Sequence, residues 1–384
     1  MENVLLVFGG ESYEHDISIV TASQFFNKTK LNNVNIVPLY LSKNNLFYIY
    51  VSKVFNIKDF AENELSSKKF KEVVFVSGEK NKLFLKTRFG LKEYLNARDV
   101  IFACHGGIGE NGELVSFFKN LGFGTSAGNF GALSICMDKF LFKQTMRGLR
   151  LPVVSGFKIT KFEYENSISD FKHRIKFLKF PVIIKSNSGG SSIGLFVANS
   201  RDEFDDKIKM AFEFDDAVLI ENYIENSREF NVAVLGNCES FVVSEIDEPL
   251  KENEVLTFAD KYLAGGGEKY SKKIPTKNSM ASSIRKFPAD LSNELTKTIK
   301  QIAGKVFKSL NLSGVVRIDF LYQEKTNKIY ICEVNAIPGS LAYYFFDENR
   351  ISTNSLAGKL IEISKKNKNA VSCVKKEYYT NILG

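Results

Sequence analysis

An unbroken apolar run, Val4 to Phe8, is followed at once by Gly9 and Gly10 and then by helical periodicity from about Ser18 to Phe26. Strands that are covered on both faces read as continuous apolar runs, and they belong to parallel sheets flanked by helices. The chain is therefore constrained to begin with a βα unit whose strand is central. Asn35–Leu41 and Val100–Ala103 read as further strands, and Glu113–Leu121 as a helix ended by Gly122. A doubly wound α/β domain over residues 1–125 is the expectation, with the Lys-rich stretch Leu46–Tyr94 elaborating it.

A chain of 384 residues exceeds one comfortable core, so further units are expected, over residues 126–222 and 223–384. The first of these holds a helix around Met137–Met146, stopped by Gly148 and Pro152, and a strand Pro181–Lys185. A loop of Gly and Ser, Asn187–Gly194, runs straight into another apolar run, Leu195–Ala198. Strand, glycine loop and strand make a hairpin, so this loop does not open a helix. Further along come strands Ala217–Glu221 and Glu229–Leu235, a long irregular stretch Glu248–Pro288, a helix Asn293–Leu310 and a closing hairpin Gly314–Ile337. Irregular stretches of that length in compact domains are usually functional or disordered, and Gly265–Gly267 points to mobility there.

The closing hairpin carries the strongest chemical signal, because its two strands can be aligned from sequence alone. In the first, Val316, Ile318 and Phe320 form one apolar face, so Arg317 and Asp319 share the other. In the second, Cys332 and Val334 are apolar and Glu333 and Asn335 lie opposite. A five-residue turn, Glu324–Lys328, would set Asp319 across from Glu333 and Arg317 across from Asn335. Two carboxylates and an amide oxygen form an all-oxygen set of the kind Mg²⁺ prefers, and an arginine beside them suits a phosphate or an oxyanion. The plainer alternative is a surface ladder of Arg317 with Asp319 and Glu333.

Several other segments favour the metal reading. Lys185 ends an apolar strand immediately before Ser186–Gly194, whose small residues let backbone amides approach phosphate oxygens. Neither GxxxxGK[ST] nor a helix-opening GxGxxG is present, which removes support for P-loop and dinucleotide-binding readings. Glu221 ends the strand Ala217–Glu221, with Tyr223 and Ile224 following. Such a strand exit can offer main-chain hydrogen bonds to a purine, although plain strand ends are commoner. Glu14, His15 and Asp16 follow the first strand, and the glycine-rich loop His105–Gly112 follows the strand Val100–Cys104. Both loops sit where open α/β sheets bind ligands, and they argue for a shared small-molecule site more strongly together than singly.

Composition narrows the partners. The formal charge of +8 comes from scattered lysines, and clustered basic residues with exposed aromatics, the mark of a nucleic-acid binder, are absent from the sequence. The densest cluster, Lys365, Lys366, Lys368, Lys375 and Lys376, reads as a solvated polar tail. Five cysteines, Cys104, Cys136, Cys238, Cys332 and Cys373, are widely spaced and fit reduced thiols in a cytoplasmic protein, and the three histidines offer no zinc-ligand spacing. The five apolar residues before Gly9 read as a buried strand and not as a signal peptide or membrane span.

In order along the chain, FGGESYEHDIS, HGGIGENG, MDK, FPVIIKSNSGGSSIG, VLIENYI with REFNVAVLGN, GVVRIDF and ICEVNAIPG resemble the blocks of the D-alanine–D-alanine ligase family of the ATP-grasp superfamily. The resemblance spans nearly the whole chain. It implies an ATP-grasp fold in which a doubly wound domain precedes two α+β units that clasp the nucleotide. Lys139 and Lys185 would hold ATP phosphates, Glu221 with the backbone near Tyr223 and Ile224 the adenine, and Glu229 the ribose. Asp319, Glu333 and Asn335 would carry two Mg²⁺ ions, with Mn²⁺ as the alternative metal. Glu14 would anchor the ammonium of the first D-amino acid, Ser191 would orient the donor end, and His105 would lie close by. Arg317 and the Gly339 amide would stabilise the tetrahedral oxyanion, and the segment around Lys261, Tyr262 and Gly265–Gly267 would close as a lid. The family also implies a cytoplasmic homodimer built on the first domain.

Two departures bear on the acceptor. After Pro338–Gly339 the family has a Ser/Thr-rich run that holds the second substrate, whereas this chain reads Ser340–Phe346, with Ser340, Tyr343 and Tyr344 as the candidate replacements. The lid region, including Met280–Arg285, is longer than the family's. Besides D-alanine–D-alanine ligation, two readings remain: a ligase of the same chemistry with D-serine, D-lactate or another amine as acceptor, and a non-catalytic nucleotide binder.

Overall fold

The computed structural model describes residues 1–60, 68–166, 169–250, 285–346 and 351–372. The first sheet has eight strands: β1 (Glu2–Gly9), β2 (Val34–Leu41), β3 (Phe47–Tyr50), β4 (Phe70–Val74), β5 (Lys82–Thr87), β6 (Gly90–Asn96), β7 (Asp99–Phe102) and β8 (Gly124–Thr125). Their order is β6-β5-β4-β3-β2-β1-β7-β8. β1 lies parallel between β2 and β7, and all five residues Val4–Phe8 are fully buried, as the apolar run requires. The Lys-rich elaboration becomes four antiparallel strands, β3–β6, that extend the same sheet. Helices α1 (His15–Lys28), α2 (Gly107–Glu110) and α3 (Glu113–Asn120) start from the loops that follow β1 and β7.

The expected helix Met137–Met146 is two helices, α4 (Phe130–Met137) and α5 (Lys139–Gly148). Asp138 sits between them in an extended conformation, and its Oδ1 accepts the Leu141 N–H (2.8 Å), so it caps α5 instead of continuing α4. A four-stranded antiparallel sheet follows, ordered β11-β10-β12-β9, from β9 (Gly156–Thr160), β10 (Val182–Ser186), β11 (Leu195–Ala198) and β12 (Ala217–Asn222). Helices α6 (Lys161–Glu165), α7 (Ser169–Lys176) and α8 (Arg201–Ala211) belong to this unit, which has its own core around Val182, Ile184, Phe204, Ile208 and Ile220. As expected, β10 and β11 form a hairpin around the glycine loop.

The third sheet, β15-β14-β13-β16-β17, is built from β13 (Ser227–Gly236), β14 (Phe241–Pro249), β15 (Arg285–Lys286), β16 (Gly314–Gln323) and β17 (Lys328–Asn335), with α9 (Asn293–Ser309) packed on it. Its core is continuous with that of the first sheet. A final helix, α10 (Thr353–Ser372), corrects the polar-tail reading. Leu356, Ala357, Leu360 and Ile361 are buried at helical spacing, while Lys365 and Lys366 stay about half exposed on the outer face. Ser364 Oγ donates to Asp99 Oδ1 (2.6 Å) and Asn367 Nδ2 to the Thr125 carbonyl (2.8 Å) and Ser313 Oγ (3.0 Å), so α10 ties the first sheet to the start of β16.

Candidate active site

Register places a polar row across the third sheet. Asp247 on β14 faces Asn231 on β13, Asn231 faces Asp319 on β16, and Asp319 faces Glu333 on β17, with Arg317 opposite Asn335 one step along. The two cross-strand pairs are those expected from sequence, but the turn is not. Gln323 pairs with Lys328, which leaves a four-residue turn with Asn327 at φ 51°, and the missing residue reappears as a bulge where Phe320 pairs with Ile331 and Asp319 with Glu333. A bulge re-aims the side chain it carries. Cys332, expected on the apolar face, instead lines the cleft beside Lys185 and Glu333.

Arg317 grips Asp319 through Nε to Oδ1 and Nη2 to Oδ2, both 2.7 Å, in a bidentate pair. Asn335 Nδ2 also donates to Asp319 Oδ2 (3.1 Å). The pairing resembles the plain ladder, but Arg317 and Asp319 are only 5% and 3% exposed, so this is no solvated surface.

Beside this row lies a cleft of about 960 Å³, lined by Lys139, Lys185, Glu221, Tyr223, Ile224, Glu229, Asp319 and Glu333. A smaller chamber of about 430 Å³ holds Glu14, Glu110 and Asn335. Lys139, Gly189, Gly190 and Glu333 line both spaces, so the two share one wall. Lys261 lies outside the described residues, as does the segment expected to form the lid.

The glycine loop closes the wall. Ser191 and Ser192 take left-handed φ values of 52° and 60°, and Ser191 Oγ donates to the Glu14 carboxylate. Lys139 Nζ donates to the Gly189 carbonyl, and the first turn of α5 is tied to the loop through Lys139 N–H to the Asn187 carbonyl (3.0 Å) and Phe140 N–H to Asn187 Oδ1 (3.1 Å). Burial lowers the Lys139 ammonium from its ordinary value, with Glu333 and Glu14 opposing. For Lys185 burial acts in the same direction, but Glu221, helped by Cys332 and Glu333, outweighs it and holds the ammonium above its usual range.

Glu221 was expected at the adenine. Its side chain is buried between two ammonium groups, Lys143 Nζ at 2.6 Å and Lys185 Nζ at 2.5 Å, which overcome burial and hold the carboxyl below its ordinary value. Lys143 was not foreseen; its position one turn after Lys139 among apolar residues is the signal that could have found it.

The smaller chamber is rich in carboxylates. Burial, and then the neighbouring Glu14, push Glu110 up to about 7, although it accepts the Gly106 N–H (3.1 Å) and the Ile337 N–H (3.4 Å). Carboxylates gathered at such close quarters make a place where a cation is favoured, and oxygen atoms of Asp319, Glu333 and Asn335 suit a hard divalent ion.

The segment after β17 is pinned by the first domain. Ser340 N–H donates to Thr21 Oγ1 (3.0 Å) and Ser340 Oγ to Gln24 Oε1 (2.7 Å), while His105 Nε2 is 2.8 Å from Thr21 Oγ1 and the ring makes a backbone hydrogen bond to Ile337. Ser340, Leu341 and Ala342 are all left-handed, with φ of 55°, 48° and 48°, an arrangement that side chains resist and that surrounding contacts must enforce. Ser340 is therefore already engaged by Gln24. Tyr343 meets Lys28 at the surface, and Tyr344 lies under Arg285 (4.5 Å to the ring centroid) within the field of Arg317. Gly339 lies in the tight turn that follows Pro338, which the Leu341 N–H closes on the Pro338 carbonyl (2.9 Å).

His105 titrates in an informative way. Burial drives its pKa down to about 4 from 6.5, with Arg317 adding to the shift and the Ile337 bond opposing it. A folded pKa below the unfolded one means the neutral ring stabilises the fold fully above pH 6.5, and that contribution is lost as pH falls from 6.5 toward 4. The shift corresponds to on the order of 3 kcal/mol. Ring resonances of His105 followed by NMR are expected to stay those of neutral imidazole down to about pH 5; a midpoint near 6.5 would refute the buried, uncharged assignment.

Comparison with known proteins follows the same lines. The family model described as D-ala D-ala ligase N-terminus matches residues 3–124, and that described as D-ala D-ala ligase C-terminus matches residues 145–362. The D-alanine–D-alanine ligase of Thermosipho melanesiensis is 34% identical over 367 residues, which cover 94% of this chain and 93% of the relative. Among solved structures, VanG D-Ala:D-Ser ligase from Enterococcus faecalis matches with a TM-score of 0.77 at 25% identity, covering 94% of this chain and 99% of its own. The D-alanine–D-alanine ligase of Helicobacter pylori matches with a TM-score of 0.73 at 26% identity, covering 94% and 98%. Among the described residues no helix is long and apolar enough to cross a membrane. Fold, motif order and full-length similarity agree: the chain belongs to the D-alanine–D-alanine ligase family.

Proposed function

We propose that this protein joins two D-alanine molecules at the expense of ATP, with the nucleotide in the larger cleft and the first D-alanine in the smaller chamber. The observation that carries the reading is the shared wall of Lys139, Gly189, Gly190 and Glu333, which sets the lysine-lined cleft beside a polar chamber that holds Glu14. In this reading Lys139 and Lys185 hold the phosphates, Glu221 and the backbone at Tyr223 and Ile224 hold the adenine, and Glu229 holds the ribose. Glu14 receives the ammonium of the first D-alanine, and Ser191 holds Glu14 in place.

A carboxylate is a poor electrophile, so the γ-phosphoryl group of ATP passes to a carboxylate oxygen of the first D-alanine, and ADP leaves. The amine of the second D-alanine then attacks the acyl carbon. The C–N bond forms, the C–O bond to phosphate breaks, inorganic phosphate departs and the amine gives up a proton. Arg317 and the Gly339 amide are placed in this reading to meet the oxyanion as it develops. Two Mg²⁺ ions, or Mn²⁺ in their place, held by Asp319, Glu333 and Asn335, would supply charge neutralisation at the phosphates. Acyl phosphates hydrolyse readily, so the reaction requires that water be kept from the chamber.

The acceptor admits a second reading. Ser340, the first hydroxyl after Gly339, is committed to Gln24, and a structural relative is a D-Ala:D-Ser ligase. D-Serine and D-lactate therefore stand beside D-alanine as acceptors to be compared. The cytoplasmic homodimer implied by family resemblance belongs to the same proposal. With Mg²⁺ and ATP, phosphate release is expected only when D-alanine is present. Equal release with and without any D-amino acid would sink the ligase reading, and a higher kcat/KM with another acceptor would reassign the second substrate.

A further inference from the structure

Lys143 has no part in the reaction just described, yet it is the most deeply buried lysine among the described residues, at 1% exposure. It lies on α5 one turn beyond Lys139. Its ammonium pairs with Glu221 Oε1 at 2.6 Å while Lys185 takes Oε2 at 2.5 Å. Two cations thus share one carboxylate. Lys185 and Glu221 line the nucleotide cleft, whereas Lys143 is sealed behind them.

Holding a second ammonium away from water is costly, and one lysine would suffice to neutralise Glu221. The arrangement gains a purpose if Lys185 must leave. We propose that Lys143 is the standing counter-ion of Glu221, a positioning residue that lets Lys185 exchange its carboxylate partner for the phosphates of a bound nucleotide. This rests on the assignment of Lys185 and the cleft to the nucleotide.

Without Lys143, the departure of Lys185 toward phosphate would strand Glu221 as a buried, unpaired anion, and such a group takes up a proton instead. The other titratable groups facing this cluster are Cys332 and Glu333 on β17, which cannot compensate a carboxylate, and Lys139 on α5, which acts on Lys185 but is itself held by the Gly189 carbonyl, while the charges acting on Glu221 are those of Lys143 and Lys185. With Lys143 present, Glu221 stays ionised in both states, and Lys185 moves without proton exchange.

The test is calorimetric titration of ADP with Mg²⁺ into native protein and into Lys143→Met, in two buffers of different ionisation enthalpy near pH 7.5. In the variant the Glu221–Lys185 pair remains intact before nucleotide arrives, so the fold should survive. Binding is expected to be about 10- to 100-fold weaker and to take up about one more proton than in native protein. Adding Glu221→Gln to the variant should abolish the extra proton. Lys143→Gln, smaller and neutral, should show the same excess if the Met variant does not fold. Equal proton uptake by native protein and the single variant would overturn the proposal, as would an excess that persists in the double variant. Failure of native protein to bind ADP at all would instead overturn the nucleotide assignment beneath it.

Discussion

Glu333→Gln is expected to reduce turnover by on the order of 1000-fold or more while leaving the melting temperature nearly unchanged. The activity loss follows from the proposed role. Neutralising charge on a transferring phosphoryl group contributes several kcal/mol of transition-state stabilisation, and about 4 kcal/mol corresponds to a factor of roughly 1000. The stability outcome follows from the surroundings. Glu333 and Glu14 both push the buried Glu110 upward, but Glu333 also supports the buried ammonium groups of Lys139 and Lys185, so removing its charge relieves one interaction, weakens two others and leaves a small net effect on stability. With less repulsion, Glu110 should also titrate lower than about 7. Turnover measured under saturating ATP and D-alanine, with a thermal melt of the same sample, checks both halves. Near-native turnover would remove Glu333 from the metal set, and a large drop in melting temperature would make its role structural.

That residue pair was legible in the sequence because strand alternation fixes which side chains share a face, and only a few turn lengths connect two strands. The alignment of Asp319 with Glu333 came out as expected, although the turn is one residue shorter and a bulge at Cys332 restores the register. Two local features thus compensate each other, and alternation alone sees only their sum. The break between α4 and α5 was obscured because Met137 and Lys139 both suit a helix. What separates them is the capping bond of Asp138, a choice between two hydrogen-bond partners for one side chain. Helix α10 was hidden by its lysines, yet Leu356, Leu360 and Ile361 carried the apolar spacing that buries it against the first sheet. Lys143 and Asp247 were out of reach for a different reason. A buried charge reveals itself only through its partners, and those stand on other elements: Glu221 on β12 for Lys143, and Arg285 on β15 for Asp247.

Gly190→Ala should be as damaging as the loss of a catalytic group, though it removes no functional atom. A Cβ at this position would lie 2.2 Å from Glu14 Oε2 and 2.9 Å from its carboxyl carbon, distances at which something must move. The loop cannot easily retreat. Ser191 is bonded to the same carboxylate, Ser188 N–H and Oγ are both held by Asp215 Oδ2 at 2.7 Å, and Asn187 anchors the start of α5. The displaced group is therefore Glu14 itself, which turns away from the position proposed for the ammonium of the first D-alanine. Misplacement of a reacting group by about 1 Å can lower rate by about 100-fold, so kcat/KM for D-alanine should fall by about that factor. Nucleotide affinity should change little, because the residues proposed to hold phosphate and adenine line the larger cleft, whereas Glu14 lines only the smaller chamber. Measuring KM for each substrate separately tests the split. Equal weakening of ATP and D-alanine would show that the alanine methyl has collapsed the whole loop, and unimpaired use of D-alanine would show that Glu14 is not its anchor.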